Sequence, residues 1–141
     1  MEALKKSKIT VKVLVQAPVE KVWKYWTSPE HIVNWNNASD VWHTPKAAVD
    51  LRVGGTFTST MAAKDGSMSF DFSGCYTKVE ELKLIEYTLE DDRRVSIVFR
   101  GDEKQCEVQE TFEAESTNSI ELQQAGWQAI LNNFKKYCES N

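Results

Sequence analysis

No apolar run in this 141-residue chain approaches the roughly 18 residues of a membrane-spanning helix. The opening Met1-Glu2-Ala3-Leu4-Lys5-Lys6 is not followed by the apolar stretch of a secretion signal. Only three cysteines are present, Cys75, Cys106 and Cys138, widely spaced and without a C-x-x-C pair. The two histidines, His31 and His43, stand at no zinc-ligand spacing from them or from each other, so neither a metal site nor a disulfide framework is expected. The cysteines read as reduced thiols of a cytoplasmic protein. Three prolines and six glycines leave no room for a flexible linker, and neither an internal repeat nor a low-complexity tract divides the chain. Cationic charge is scarce as well. Seventeen Lys and Arg against 21 Asp and Glu leave a net charge of -4, which argues against nucleic acid and anionic membrane surfaces as partners. Phosphate loops, H-E-x-x-H and G-x-S-x-G are all missing, and no cofactor is implied.

The chain does have periodicity. Ile9, Val11, Val13 and Val15 alternate with polar residues as a half-buried strand. Pro18 stands at a first helical position, followed by Val19, Val22, Trp23 and Trp26 at the spacing of an amphipathic helix. Ser28-Pro29 ends it and opens a second short helix carrying Ile32 and Trp35. Residues 36–46 show no period, and a loop of that length bearing Trp42 and His43 is a candidate lid. From there the period is two, with strands expected over 47–53, 56–62, 68–78, 84–90, 94–100 and 105–114 and short turns between most of them. A long helix closes the chain, with Asn118 and Glu121 as its capping box and Ile120, Trp127, Ile130, Leu131, Phe134 and Cys138 on one stripe. The expectation is an α+β protein over residues 1–141, core 9–139, whose curved antiparallel sheet wraps the terminal helix.

Several strings sharpen this. Ala17-Pro18-Val19-Glu20-Lys21-Val22-Trp23, Thr27-Ser28-Pro29-Glu30 running to Trp35, and Val53-Gly54-Gly55-Thr56-Phe57 come first. Gly74-Cys75-Tyr76, Leu84-Ile85-Glu86-Tyr87-Thr88 and Gly126-Trp127 follow. Their order and spacing from about Ile9 onward resemble the helix-grip fold of the START-like (SRPBCC) superfamily. Within it they are most similar to homologues of the activator of the heat-shock-protein-ninety ATPase. The resemblance implies a fold and an internal cavity that takes a small hydrophobic molecule, with contact to a chaperone as a further partner reading. The protein is expected as a monomer or weak homodimer.

On the apolar parity the expected cavity lining comprises Phe57, Ser59, Met61, Phe70, Phe72, Tyr76, Tyr87, Ile97, Phe99 and Glu110. Gln123, Trp127 and Ile130 join it from the helix, and Trp35 and Trp42 from beside the loop. Glu110 is the sharpest of these. It lies between Val108 and Phe112 in a strand whose other parity, Glu107, Gln109, Thr111 and Glu113, reads as solvent-facing. A carboxyl on an apolar face is desolvated, and its pKa rises unless a donor such as Gln123, Tyr76 or Tyr87 holds it. It reads as a polar anchor for a ligand, as a general acid or base assisted by Tyr76 or His43, or as a structural acceptor. Gly126, inside the helix, suggests a close approach by the sheet or a ligand. His31 reads as solvated.

Overall fold

The computed structural model describes residues 7–141; the opening hexapeptide lies outside the described residues. The order is β1 (Lys8–Val15), α1 (Val19–Thr27), α2 (Pro29–Trp35), β2 (Trp42–Val49), β3 (Thr56–Ala63), β4 (Ser69–Glu80), β5 (Leu84–Leu89), β6 (Arg94–Gly101), β7 (Cys106–Glu113) and α3 (Ile120–Ser140). All seven strands form one antiparallel sheet in the order β1-β7-β6-β5-β4-β3-β2. Short turns allow each of β3 to β7 to fold back on its predecessor, and β1 closes the far edge against β7. This is the α+β helix-grip layout that the alternation and the resemblance led us to expect.

Alternation decides which face is covered. Ile9, Val11 and Val15 of β1, Val95, Ile97 and Phe99 of β6, and Cys106, Val108, Glu110 and Phe112 of β7 point inward and are buried. Along α3 the buried apolar side chains Leu131, Phe134 and Cys138 fall on its C-terminal half, and the one buried polar side chain, Gln123, on its first turns. There Phe134 meets Trp26 and Trp35 edge-on, with ring centroids 4.9 Å and 4.8 Å away. Phe99 supports the same cluster from the sheet, 5.1 Å from Trp23 and 6.0 Å from Trp26. One end of the space between sheet and helix is therefore packed solid by α1 and α2.

Several boundaries differ from the sequence expectation. Only residues 36–41 of the aperiodic stretch 36–46 are irregular, and its aromatic residues form no lid: Trp42 and His43 begin β2 itself. The register of β2 against β3 slips between His43 and Lys46, around Pro45. A bulge puts two exposed residues in succession and erases the period, and an edge strand tolerates proline because its outer N–H groups have no neighbour to bond. Thr44, turned inward there, donates to the Asn36 carbonyl at 2.5 Å. At α1, Pro18 is the N-cap residue rather than the first helical one. At α3 the cap is Ser119, not Asn118: its hydroxyl accepts the Leu122 N–H at 3.1 Å, and Ile120 stays exposed. Glu113 is buried rather than solvated, because its carboxylate turns back to accept the Arg94 N–H at 2.7 Å. His31 is half-buried, stacked on Tyr25 at 3.9 Å with Nδ1 2.7 Å from the Tyr137 hydroxyl.

Candidate ligand-binding cavity

The N-terminal half of α3 leaves the sheet uncovered enough to enclose a cavity of about 380 Å³. That lies within the roughly 300–1,000 Å³ typical of small-molecule sites. Its floor is aromatic. Phe57 of β3 lies across β4, where Gly74 stands in the paired position, and its ring reaches Tyr76 at 5.5 Å, Phe72 at 5.8 Å and Tyr87 at 4.7 Å. A Cβ at residue 74 would come within 2.7 Å of the Phe57 ring, so glycine is what lets the ring lie flat there. Trp127 of α3 stacks on Phe112 with centroids 3.8 Å apart and planes 11° from parallel, and meets Phe72 edge-on. Trp35 and Ile32 bound the closed end, whereas the exposed liners Phe70, Asn118 and Leu122 mark the open one.

Of the residues expected to line the cavity, Trp42, Ile97 and Phe99 do not. Ile97 and Phe99 share the inward parity but lie in the packed core, Phe99 beneath α1. Trp42 instead packs edge-on against Phe70 at 5.9 Å. His43 is exposed on the edge strand, outside the lining, and so cannot partner Glu110 there. Ser59, Met61, Phe70, Phe72, Tyr76, Tyr87, Gln123, Trp127, Ile130, Phe57, Trp35 and Glu110 all face the cavity.

Glu110 is 5% exposed, and among the described residues none donates a hydrogen bond to its carboxyl, which opens onto the cavity. Burial alone pushes its pKa up to about 8 from an ordinary 4.5. The donors expected to hold it are engaged elsewhere or only nearby. Gln123 is committed to the β7–α3 loop: its Oε1 accepts the Glu115 N–H at 2.9 Å, and its Nε2 donates to the carbonyls of Glu115 at 3.2 Å and Asn118 at 2.8 Å. Removing those three bonds in Gln123→Ala leaves half-buried backbone groups unpaired. The expected loss is about 2 kcal/mol, read as a lower urea midpoint with unchanged slope. Tyr87 is raised well above its ordinary pKa, first by burial and then by the Glu110 and Tyr76 charges. Tyr76 is raised by burial and by Asp50.

Arg93 is a cavity residue that the sequence reading missed. It shares the parity of Val95, Ile97 and Phe99, so the alternation pointed to it, but its place beside the turn at Asp91-Asp92 masked that. Its side chain is 17% exposed and its Nε donates to Asp91 Oδ2 at 2.7 Å. Gly126 meets neither sheet nor helix: a Cβ there would find nothing within 4 Å, because the residue faces open cavity.

A curved sheet gripping a helix over an aromatic-lined cavity defines a START-like domain. The family model described as activator of Hsp90 ATPase homolog 1-like protein matches residues 16–139, and the chain belongs to that family. Its structure is similar to an AHSA1-like protein from Aeromonas hydrophila at 45% identity, with 95% of this chain and 93% of that one covered and a TM-score of 0.89. A protein from Cytophaga hutchinsonii is 59% identical over 95% of this chain and 93% of its own, with a TM-score of 0.81. A protein from Chromobacterium violaceum, 20% identical over 96% and 99% with a TM-score of 0.84, shares the fold. No curated protein matches the chain. Among the described residues no helix is long and apolar enough to cross a membrane.

Proposed function

We propose that the protein binds a small hydrophobic or amphipathic molecule, non-catalytically, in the cavity between the sheet and α3. The observation that carries this reading is the cavity itself, aromatic on most sides with one unpartnered acid inside. Hiding roughly 300 Å² of apolar ligand surface yields on the order of 7 kcal/mol, against an association cost of at least about 4 kcal/mol. Burial alone therefore supports only millimolar affinity, and polar anchors such as Glu110 decide whether binding is useful. Two of the three free cysteines are buried and none is paired, which supports a reducing compartment such as the cytoplasm. We take the protein to act as a monomer or weak homodimer.

The test is a titration of intrinsic tryptophan emission, since Trp26, Trp35 and Trp127 all face the cavity. Medium-chain lipids and fused-ring aromatic compounds should shift the emission and raise Tm together. If no member of such a panel does either, the reading is wrong.

Acid–base catalysis is a second reading, favoured by one observation: a buried carboxyl faces the cavity without a hydrogen-bond partner among the described residues, and burial raises its pKa toward neutrality. Turnover of a bound compound that is lost in Glu110→Gln would establish it.

A further inference from the structure

Resting on the binding reading above, we propose that the cavity selects a hydrophobic molecule carrying one protonated amine, with Glu110 as the anionic partner of its ammonium group. The Glu110 carboxyl lacks a polar partner among the described residues. It is buried on β7 opposite Val11 of β1 and Ile97 of β6, two neighbours with no polar side-chain atoms. Across the cavity, α3 presents Trp127 and Gln123, and the Gln123 amide is already engaged. Ionisable groups that face the same space are Tyr76 of β4, Tyr87 of β5, Arg93 after β5, and Glu115 after β7. Arg93 donates its Nε to Asp91 and makes neither a hydrogen bond nor an ion pair with Glu110, whose pKa burial raises. The acid therefore has little hydration and no ion-pair partner among the described residues.

A ligand ammonium supplies it. Pairing replaces the missing hydration, and the aromatic faces beside Glu110 favour a cation over a neutral group. A ligand carboxylate in the same place meets a neutral acid or, once Glu110 ionises, like charge, and gains no ion pair with it either way. An alcohol gains only one neutral hydrogen bond. The chain's net charge of -4 also favours the approach of cations.

The pairing is coupled to a proton. With a pKa of about 8, roughly nine-tenths of the Glu110 carboxyls carry a proton at pH 7. When the ammonium enters, the Glu110 O–H bond breaks, the proton goes to solvent, and the ligand keeps its own. Amine affinity should therefore rise about tenfold per pH unit between pH 6 and 7 and level off above about 8. Both tyrosines, raised by burial, stay protonated across that range.

Isothermal titration of the full chain with n-decylamine, n-decanol and decanoate, in buffers of different ionisation enthalpy, tests this. Decylamine should bind at least about tenfold tighter than decanol near pH 8 and release close to one proton near pH 7. In Glu110→Gln the preference for amine over decanol and the proton release should both vanish. Equal binding of decylamine and decanol without proton release overturns the proposal, as does an amine preference that survives in Glu110→Gln. If none of the three probes binds, the cavity-binding reading itself fails, which distinguishes that failure from a wrong ligand charge.

Discussion

Glu110→Gln is expected to be more stable than the unsubstituted protein at pH 7 by about 3 kcal/mol, and to lose that advantage as pH falls to 4.5. The sign follows from which form the fold prefers. Burial raises the folded-state pKa to about 8, whereas the unfolded chain titrates near 4.5, so the native state binds the proton more tightly. Below 4.5 the carboxyl is neutral in both states and carries no penalty. Between 4.5 and 8 the unfolded chain releases a proton that the folded one retains. Native stability then falls by about 1.4 kcal/mol per pH unit, and above 8 the penalty is constant. Glutamine keeps the shape and the polar character of the neutral acid but never ionises, so only the pH-dependent part is removed. For a chain of this size 3 kcal/mol corresponds to a Tm increase of about 10 °C. Thermal unfolding of both proteins from about pH 4.5 to 8.5 checks it. Parallel curves would show that Glu110 titrates normally and that the cavity leaves it hydrated.

What made Glu110 legible was parity: two neighbours of known face, Val108 and Phe112, left no choice for the residue between them. Parity assigns a face, however, and not what covers it. Ile97 and Tyr87 both point inward, yet Ile97 lies in packed core while Tyr87 fronts the cavity, because the buried apolar side chains of α3 lie along its C-terminal half, with Trp127 on Phe112 as a separate contact beyond them. Neither local period nor composition encodes where that divide falls. The same limit applies to Gln123, read correctly as a polar interruption of an apolar stripe: its bonds go to the backbone of Glu115 and Asn118 rather than to the cavity acid, a choice that local spacing does not make. His31 lies 106 positions from Tyr137, so their 2.7 Å contact exists only once α2 and α3 are packed. The bulge in β2 is a different kind of loss. One slipped residue near Pro45 destroyed the alternation that would have marked Trp42 as strand.

Gly126 offers the most direct control over the space itself. A glycine inside a helix costs about 1 kcal/mol relative to alanine, and here no close approach by sheet or side chain requires it. Gly126→Ala should therefore raise stability by about 1 kcal/mol, since the added methyl points into unoccupied volume, and leave ligand affinity within about threefold. Gly126→Phe pursues the same direction to its end. Its ring would occupy the cavity beside Trp127, gaining apolar burial instead of losing it, so the variant should fold with a Tm no lower than the unsubstituted protein. Affinity for any cavity ligand should fall by well over tenfold. Gly126→Leu, of intermediate size, should fall between the two, which separates loss by filling from loss by misfolding. Should Gly126→Phe keep its Tm and still shift tryptophan emission with the same compounds at the same concentrations, those compounds bind somewhere other than the space beneath α3.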